Sequence, residues 1–297
     1  MASVEAYLKP EVVQQIGRLD LKARFIAQGF ITGLHASPYH GFSVEFSEHR
    51  KYEPGDEFNT IDWSVYARTE RVYVKKFRAE TNTQSYLVVD TSPSMGYSYR
   101  GITKLDYAIC LAASLGYLMI RQQDPVGLVT FDSAIRTAIP PRCKRSQLTT
   151  IISELSKTRP SGVTDIANAI HQVAELARRR GFIIIFSDFL GEIEPMIDAL
   201  RHLAFRKHDV IVFQILDEAE VKLPFDEFTN FQDLETAETL AVDPNAIRAS
   251  YQAEINEFIS TLRERCLQAR VDFQQLDTSM AFDKALMSFL VARKARF

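Results

Sequence analysis

An apolar run, Tyr86 to Val89, ends in Asp90, and Ser92 and Ser94 follow at every second position in the stretch YLVVDTSPSMGYS. A hard-cation site needs oxygens placed this way, although an ordinary polar turn uses the same residue types. Two more residues bear on the choice. Asp188 closes FIIIFSD, another apolar run, and Thr164 lies in SGVTDIANAI, in a loop immediately before a helix expected to begin near Asp165. In an open α/β sheet, ligands gather at the carboxyl ends of strands where the strand order reverses. If the two apolar runs are neighbouring strands, Asp90, Ser92, Ser94, Thr164 and Asp188 converge on one point. The set holds only oxygen donors, with no His or thiolate. It suits Mg²⁺ or Mn²⁺, for which Mg²⁺ sets the pattern of about six oxygens at roughly 2.0 to 2.1 Å, some of them water. Three hydroxyls and two carboxylates leave such an ion underneutralised, with a position free for an Asp or Glu of a partner protein. That is a recognition device, and it needs no catalytic base. The chain carries its own control: Asp277-Thr278-Ser279 also follows an apolar run, but Ala281 breaks the pattern, and this stretch is expected to cap the final helix.

Enzymatic alternatives fit the residues less well. A phosphatase of the haloacid-dehalogenase type also begins with an apolar strand and an Asp, but Ser92 stands where its second Asp is needed. There is no G-x-x-x-x-G-K-[ST] loop and no G-x-S-x-G elbow. A hydrolase built on Ser92 or Ser94 needs a positioned His, and the six histidines are scattered. The expectation is a protein that is not an enzyme. A Mg²⁺-dependent hydrolase or phosphatase using Asp90, or a scaffold with a vacant metal site, are the alternatives.

The elements that must position these residues follow from periodicity. From Tyr86 onward, apolar strands alternate with amphipathic helices, the pattern of a parallel α/β sheet. The strands are YLVVD, VGLVTF, FIIIFSD, VIVFQIL and VDFQQLD, with IRTAIP as an antiparallel edge. Helices are expected near 103–122, 145–157, 165–180 and 193–206, the third ending in Arg178 to Arg180. Another begins after Asp243, with Pro244 in its first turn, and a last one runs from about Ala281 to Arg293. Residues 217–242 are expected to form an inserted loop and hairpin on the sheet rim. Upstream, residues 9–32 have helical spacing, and FSVEFS and RVYVKKF are strands flanking the turn YEPGDE. Two domains result: an N-terminal α+β module over 1–84 and a doubly wound α/β domain over 85–297.

Bulk properties exclude several classes. The chain of 297 residues is 46% hydrophobic, enough for a sizeable core. No run approaches the roughly 20 apolar residues of a membrane span, and the first residues lack the order of a secretory signal, so a cytoplasmic protein is expected. A net charge of −3 with no basic stripe argues against nucleic acid. Cys110, Cys143 and Cys266 form no metal-binding or disulfide pattern, and Cys110 and Cys266 fall in helical core patterns.

The stretches LVVDTSPSM, GVTDIANAI and IIIFSDFLG resemble, in order and spacing, the metal-ion-dependent adhesion site of von Willebrand factor A-type domains. The resemblance implies a six-stranded sheet of order 3-2-1-4-5-6. It also implies that Ser92, Ser94 and Thr164 contact the metal while Asp90 and Asp188 act directly or through water. The segment 41–80, with Glu45, Arg50, Pro54-Gly55-Asp56, Ile61-Asp62-Trp63 and Ala67-Arg68 among its landmarks, resembles the bacterial family called domain of unknown function 58. The tail from NFQDLET onward is similar to it too. Members are typically associated with MoxR-type AAA+ ATPases in protein maturation or remodelling, which implies such an ATPase or its client as partner.

Overall fold

The computed structural model describes residues 21–23, 26–27, 49–51, 73–75, 84–99, 101–162, 164–234 and 238–287. The chain divides into two compact units, Leu34–Asn82 on the one hand and Met1–Gly33 together with Thr83–Phe297 on the other. In the smaller unit, strands β1 (His49–Lys51) and β2 (Tyr73–Lys75) pair antiparallel. The strand expected at FSVEFS lies outside the described residues, as do the landmarks Glu45, Pro54-Gly55-Asp56, Ile61-Asp62-Trp63 and Ala67-Arg68, whereas Arg50 falls in β1. Of the helix expected over 9–32, residues 21–23 and 26–27 are helical, with Ala23, Ile26 and Ala27 fully buried.

The larger unit is built on a six-stranded sheet. Its strands are β3 (Gln84–Asp90), β4 (Val126–Phe131), β5 (Ile135–Arg142), β6 (Gly181–Ser187), β7 (Asp209–Leu216) and β10 (Asp272–Asp277). Across the sheet they run β5-β4-β3-β6-β7-β10, which is 3-2-1-4-5-6 when these six alone are numbered along the chain. All neighbours are parallel except β4 and β5. The antiparallel β5 alternates half-buried and exposed residues and carries Pro140 and Pro141, which suits an edge, where a missing N–H breaks no ladder. The interior strands β3, β4 and β6 are buried almost throughout, because helices cover both faces.

Helices α1 (Lys104–Arg121), α2 (Arg145–Lys157), α3 (Ile166–Leu176), α4 (Ile193–Phe205), α5 (Glu218–Lys222) and α6 (Pro244–Gln268) complete the unit. Ile170 and Val173 of α3, Ile197 and Leu200 of α4, and Leu262 and Cys266 of α6 bury one face against Tyr86, Val88, Ile183 and Ile185. α1 packs against β3 on the face of Leu87 and Val89, and its Tyr107 stacks on Phe282 with ring centres 4.7 Å apart. Cys110 and Cys266 are buried helical residues, as their patterns required. α3 is shorter than expected: it stops at Leu176, and Arg178 to Arg180 lie in the turn that brings the chain to the start of β6 at Gly181. The rim insertion contains α5 and an antiparallel hairpin, β8 (Thr229–Gln232) with β9 (Thr239–Val242). Arg248 of α6 ties this insertion down by donating to the carbonyls of Leu223 (3.1 Å) and Phe225 (2.6 Å). Asp243 caps α6 through the N–H of Asn245 at 3.0 Å. Asp277 turns back to the N–H of Ser279 at 2.7 Å, so it closes a tight turn instead of capping the helical residues 282–287. No helix among the described residues is long and apolar enough to cross a membrane.

The central pairing of β3 with β6 starts opposite Gly181, where an added Cβ would stand 2.1 Å from the carbonyl oxygen of Gln84. Gly181→Ala is therefore expected to lower stability by about 1–3 kcal/mol, read as a lower urea midpoint. An unchanged midpoint would show that the ladder accommodates the methyl group.

Candidate metal centre

β3 and β6 are adjacent and parallel, with Val89 opposite Phe186, so Asp90 ends its strand level with Ser187 and one residue short of Asp188. This is the point at which the chain, having placed β4 and β5 on one side of β3, crosses to the other side, the switch point at which α/β sheets bind ligands. The short 3₁₀ turn Pro93–Gly96 then carries Ser94 away from the strand end and buries Met95 as its anchor. Thr91 pins the loop to the neighbouring strand, since its N–H and hydroxyl both donate to the Phe131 carbonyl, at 2.7 and 2.8 Å. The loop bearing Thr164 is tied to the same place by the Ser161 N–H, which donates to the Thr91 carbonyl at 2.8 Å. Gly162 in that loop has φ +88°, and a Cβ there would meet Asp132 Oδ2 at 2.3 Å, so only glycine lets the loop approach so closely. Asp165 caps α3 through the Asn168 N–H at 3.0 Å, placing Thr164 just ahead of the helix.

Asp90, Ser92 and Asp188 are buried, whereas Ser94 and Thr164 are half-buried. Asp90 Oδ1 accepts from the Ser92 N–H at 2.9 Å, and Oδ2 accepts from the Ser187 hydroxyl at 2.6 Å. The hydroxyls of Ser92 and Ser94 share a hydrogen bond of 3.0 Å. Ser94 and Thr164 line one cavity of about 900 Å³, whose walls include Asp165, Leu190, Glu220 and Leu234. Leu190 connects this cavity to Asp188, as its N–H faces Asp188 Oδ1 at 3.4 Å. Among the described residues no three or more His, Cys, Asp or Glu are grouped to hold a metal. A cation at this point would rest on hydroxyl oxygens as much as on carboxylates.

Three functional groups here escape sequence reasoning. Ser187 is one, and the only hint was a polar residue inside an otherwise apolar strand. Lys104 is another: it is fully buried and donates to Asp188 Oδ2 at 2.9 Å and also to Glu220 Oε1. Its signal was a cation in the first turn of a helix, where the helix dipole disfavours it. Glu220, the third, lies 116 residues further along the chain, and nothing local marks it. It completes a capping box with Asp217, whose N–H donates to Glu220 Oε2 at 2.8 Å.

Charge follows burial at this strand end. Burial and then the neighbouring charge of Asp188 push the Asp90 carboxyl up to about 7, against the hydrogen bonds from Ser187 and Ser92 that hold it down. Burial opposes the Lys104 ammonium, but Asp188 and Glu220 outweigh it and its pKa is raised. Burial raises Glu220, with Lys104 pulling the other way.

The Asp90 shift has a definite sign. Its folded value of about 7 exceeds the ordinary 3.8, so the folded state keeps a proton that the unfolded chain has released. This contribution to stability is full below the ordinary value and is lost as pH rises toward the folded one. In a chelator, the melting temperature of the wild type should fall from about pH 4 to about pH 7 relative to Asp90→Asn, which has no proton to lose. Parallel profiles for the two proteins would contradict this.

Comparison with known proteins locates the chain among relatives. The family described as "Protein of unknown function DUF58" matches residues 48–258. The uncharacterized protein Mb1516 of Mycobacterium bovis is 30% identical over 275 residues, which covers 89% of this chain and 86% of the relative. The uncharacterized protein Rv1480 of Mycobacterium tuberculosis matches to the same extent, 30% over 275 residues. Among solved structures, the conserved hypothetical protein BatB from Bacteroides thetaiotaomicron is similar with a TM-score of 0.48 at 16% identity, over 71% of this chain and 99% of BatB. The SpRpn10 VWA domain is similar with a TM-score of 0.42 at 11% identity, over 69% of this chain and 93% of that domain. With a family match over most of its length and relatives of this identity, the chain belongs to the DUF58 family.

Proposed function

We propose that this protein is a non-enzymatic, Mg²⁺- or Mn²⁺-dependent interaction protein of the cytoplasm. It captures an Asp or Glu side chain of a partner protein and works with a MoxR-type AAA+ ATPase or its client in protein maturation or remodelling. One observation carries the reading. Asp90 is a carboxylate buried beside a second carboxylate, with its pKa driven up by that burial, and next to it a pair of hydroxyls opens onto a cavity. Such a place favours positive charge, and its all-oxygen donors match a small hard cation. Asp90, Ser92, Ser94, Thr164 and Asp188 would hold the ion. When bound, it supplies positive charge and an open coordination position for a carboxylate. The residues of the chain do the rest: Ser187 and the Ser92 N–H fix the Asp90 carboxyl, and the Ser92–Ser94 bond aligns the hydroxyls. The partner class rests on the family resemblance.

A second reading, a scaffold whose site stays without metal, is favoured by Lys104, whose ammonium already neutralises Asp188. A hydrolase using Asp90 as nucleophile is disfavoured, because Ser92 stands where the second Asp of a haloacid-dehalogenase-type phosphatase is needed.

Mg²⁺ at millimolar concentration should raise the melting temperature of the full chain, and Asp90→Ala should remove the rise, since only a folded-state site can add stability by mass action. Ser94→Ala or Thr164→Ala should weaken pull-down of a recombinant MoxR-type ATPase of the source organism while the fold persists. No response to Mg²⁺ or Mn²⁺ would favour the scaffold. Phosphatase turnover that disappears in Asp90→Asn would favour the hydrolase.

A further inference from the structure

Lys104 is an expensive residue to place where it stands. It opens α1, directly after the cap Thr103, whose hydroxyl accepts from the Asp106 N–H at 3.0 Å. The partial positive charge of the helix N-terminus opposes an ammonium there. The side chain is also fully buried, which is costly for a cation unless it is paired. Two carboxylates pair it, and they come from different parts of the fold. Asp188 follows β6 and belongs to the candidate metal centre, whereas Glu220 belongs to α5 of the rim insertion.

Glu220 is itself firmly placed. Its second oxygen accepts from the Asp217 N–H, and its carbonyl accepts from the Tyr251 hydroxyl of α6 at 2.7 Å. Lys104 is therefore a fixed positive charge, held between one proposed metal ligand and a rim carboxylate that lines the same cavity as Ser94 and Thr164. A packing role alone would be served by an apolar side chain, without three charges to desolvate.

We propose that Lys104 is the built-in counter-cation of the metal centre: it holds Asp188 in place when no metal is bound, competes with the divalent ion for that carboxylate, and so sets the ion's affinity. The inference rests on the metal reading given above. Charge bookkeeping supports it. Asp90, Asp188 and Glu220 are three acids, and Lys104 is the base bonded to two of them. A divalent ion entering beside Asp188 meets like charge a few ångströms away. The cost is metal affinity, and the gain is a strand end that stays assembled and exchangeable. Glu220 acts in the opposite direction, because it draws the ammonium toward the rim and leaves more of Asp188 for the ion.

The test is calorimetric titration of the full chain with Mg²⁺ alone. Lys104→Gln keeps hydrogen-bonding capacity toward both carboxylates but removes the charge. It should bind Mg²⁺ at least about tenfold more tightly than the wild type, as expected for losing a like charge at this range. Lys104→Arg keeps the charge and should stay close to the wild type. Glu220→Gln should bind more weakly, and it remains a test if Lys104→Gln fails to fold. Affinity in Lys104→Gln equal to or below that of the wild type, or in Glu220→Gln equal to or above it, would overturn the proposal and leave Lys104 a structural residue. Should the wild type bind Mg²⁺ in an Asp90-dependent way while these variants do not differ, this inference alone falls. If neither the wild type nor any variant responds to Mg²⁺, the metal reading falls and takes this inference with it.

Discussion

Two carboxylates, Asp90 and Asp188, end neighbouring parallel strands and are both buried, and much of the surrounding structure serves to make that tolerable. Burial, and then the neighbouring charge of Asp188, raise the pKa of the Asp90 carboxyl. The chain answers with donors. Ser187 and the Ser92 N–H go to Asp90, and Lys104 and the Leu190 N–H go to Asp188. Each donor requires its own support. Ser92 is fixed by the turn that buries Met95, and Lys104 by the first turn of α1.

Lys104 also joins parts of the unit that would otherwise have separate histories. Through Glu220 the strand-end charge reaches α5, and through the Glu220 carbonyl it reaches Tyr251 of α6. Asp217, at the start of α5, accepts from the Tyr99 N–H at 3.2 Å, just beyond the serine turn, and from the Thr278 hydroxyl at 3.2 Å, just after β10. The rim insertion is thus bonded to the loops at the carboxyl ends of several strands. A change in charge at the candidate centre therefore has a short route to the rim insertion.

Much of the larger unit was legible from pattern. The strands of the central sheet, the antiparallel edge and the cap of α6 follow from apolar periodicity and from Asp243-Pro244, because strands buried on both faces must be continuously apolar. The misjudged features share a cause. α3 looked longer because its composition stays helix-compatible through Arg180, yet the start of β6 at Gly181 forces an earlier turn. Asp277 looked like a helix cap because its spacing is right, yet its nearest donor is the Ser279 N–H.

The sequence by itself determined which oxygens could act: Asp90, Ser92 and Ser94 lie within five residues, and local spacing alone suffices to put them in one turn. It also determined where the strands of the sheet lie, since strands buried on both faces must be continuously apolar, while their order was implied by the family resemblance. Only the tertiary structure decided that Asp188 comes to that turn already holding an ammonium, and that the ammonium is shared with Glu220. Those contacts span 84 and 116 residues. Side chains so far apart in the chain leave no local pattern, because what joins them is the parallel pairing of β3 with β6 and the placement of α5 on the rim.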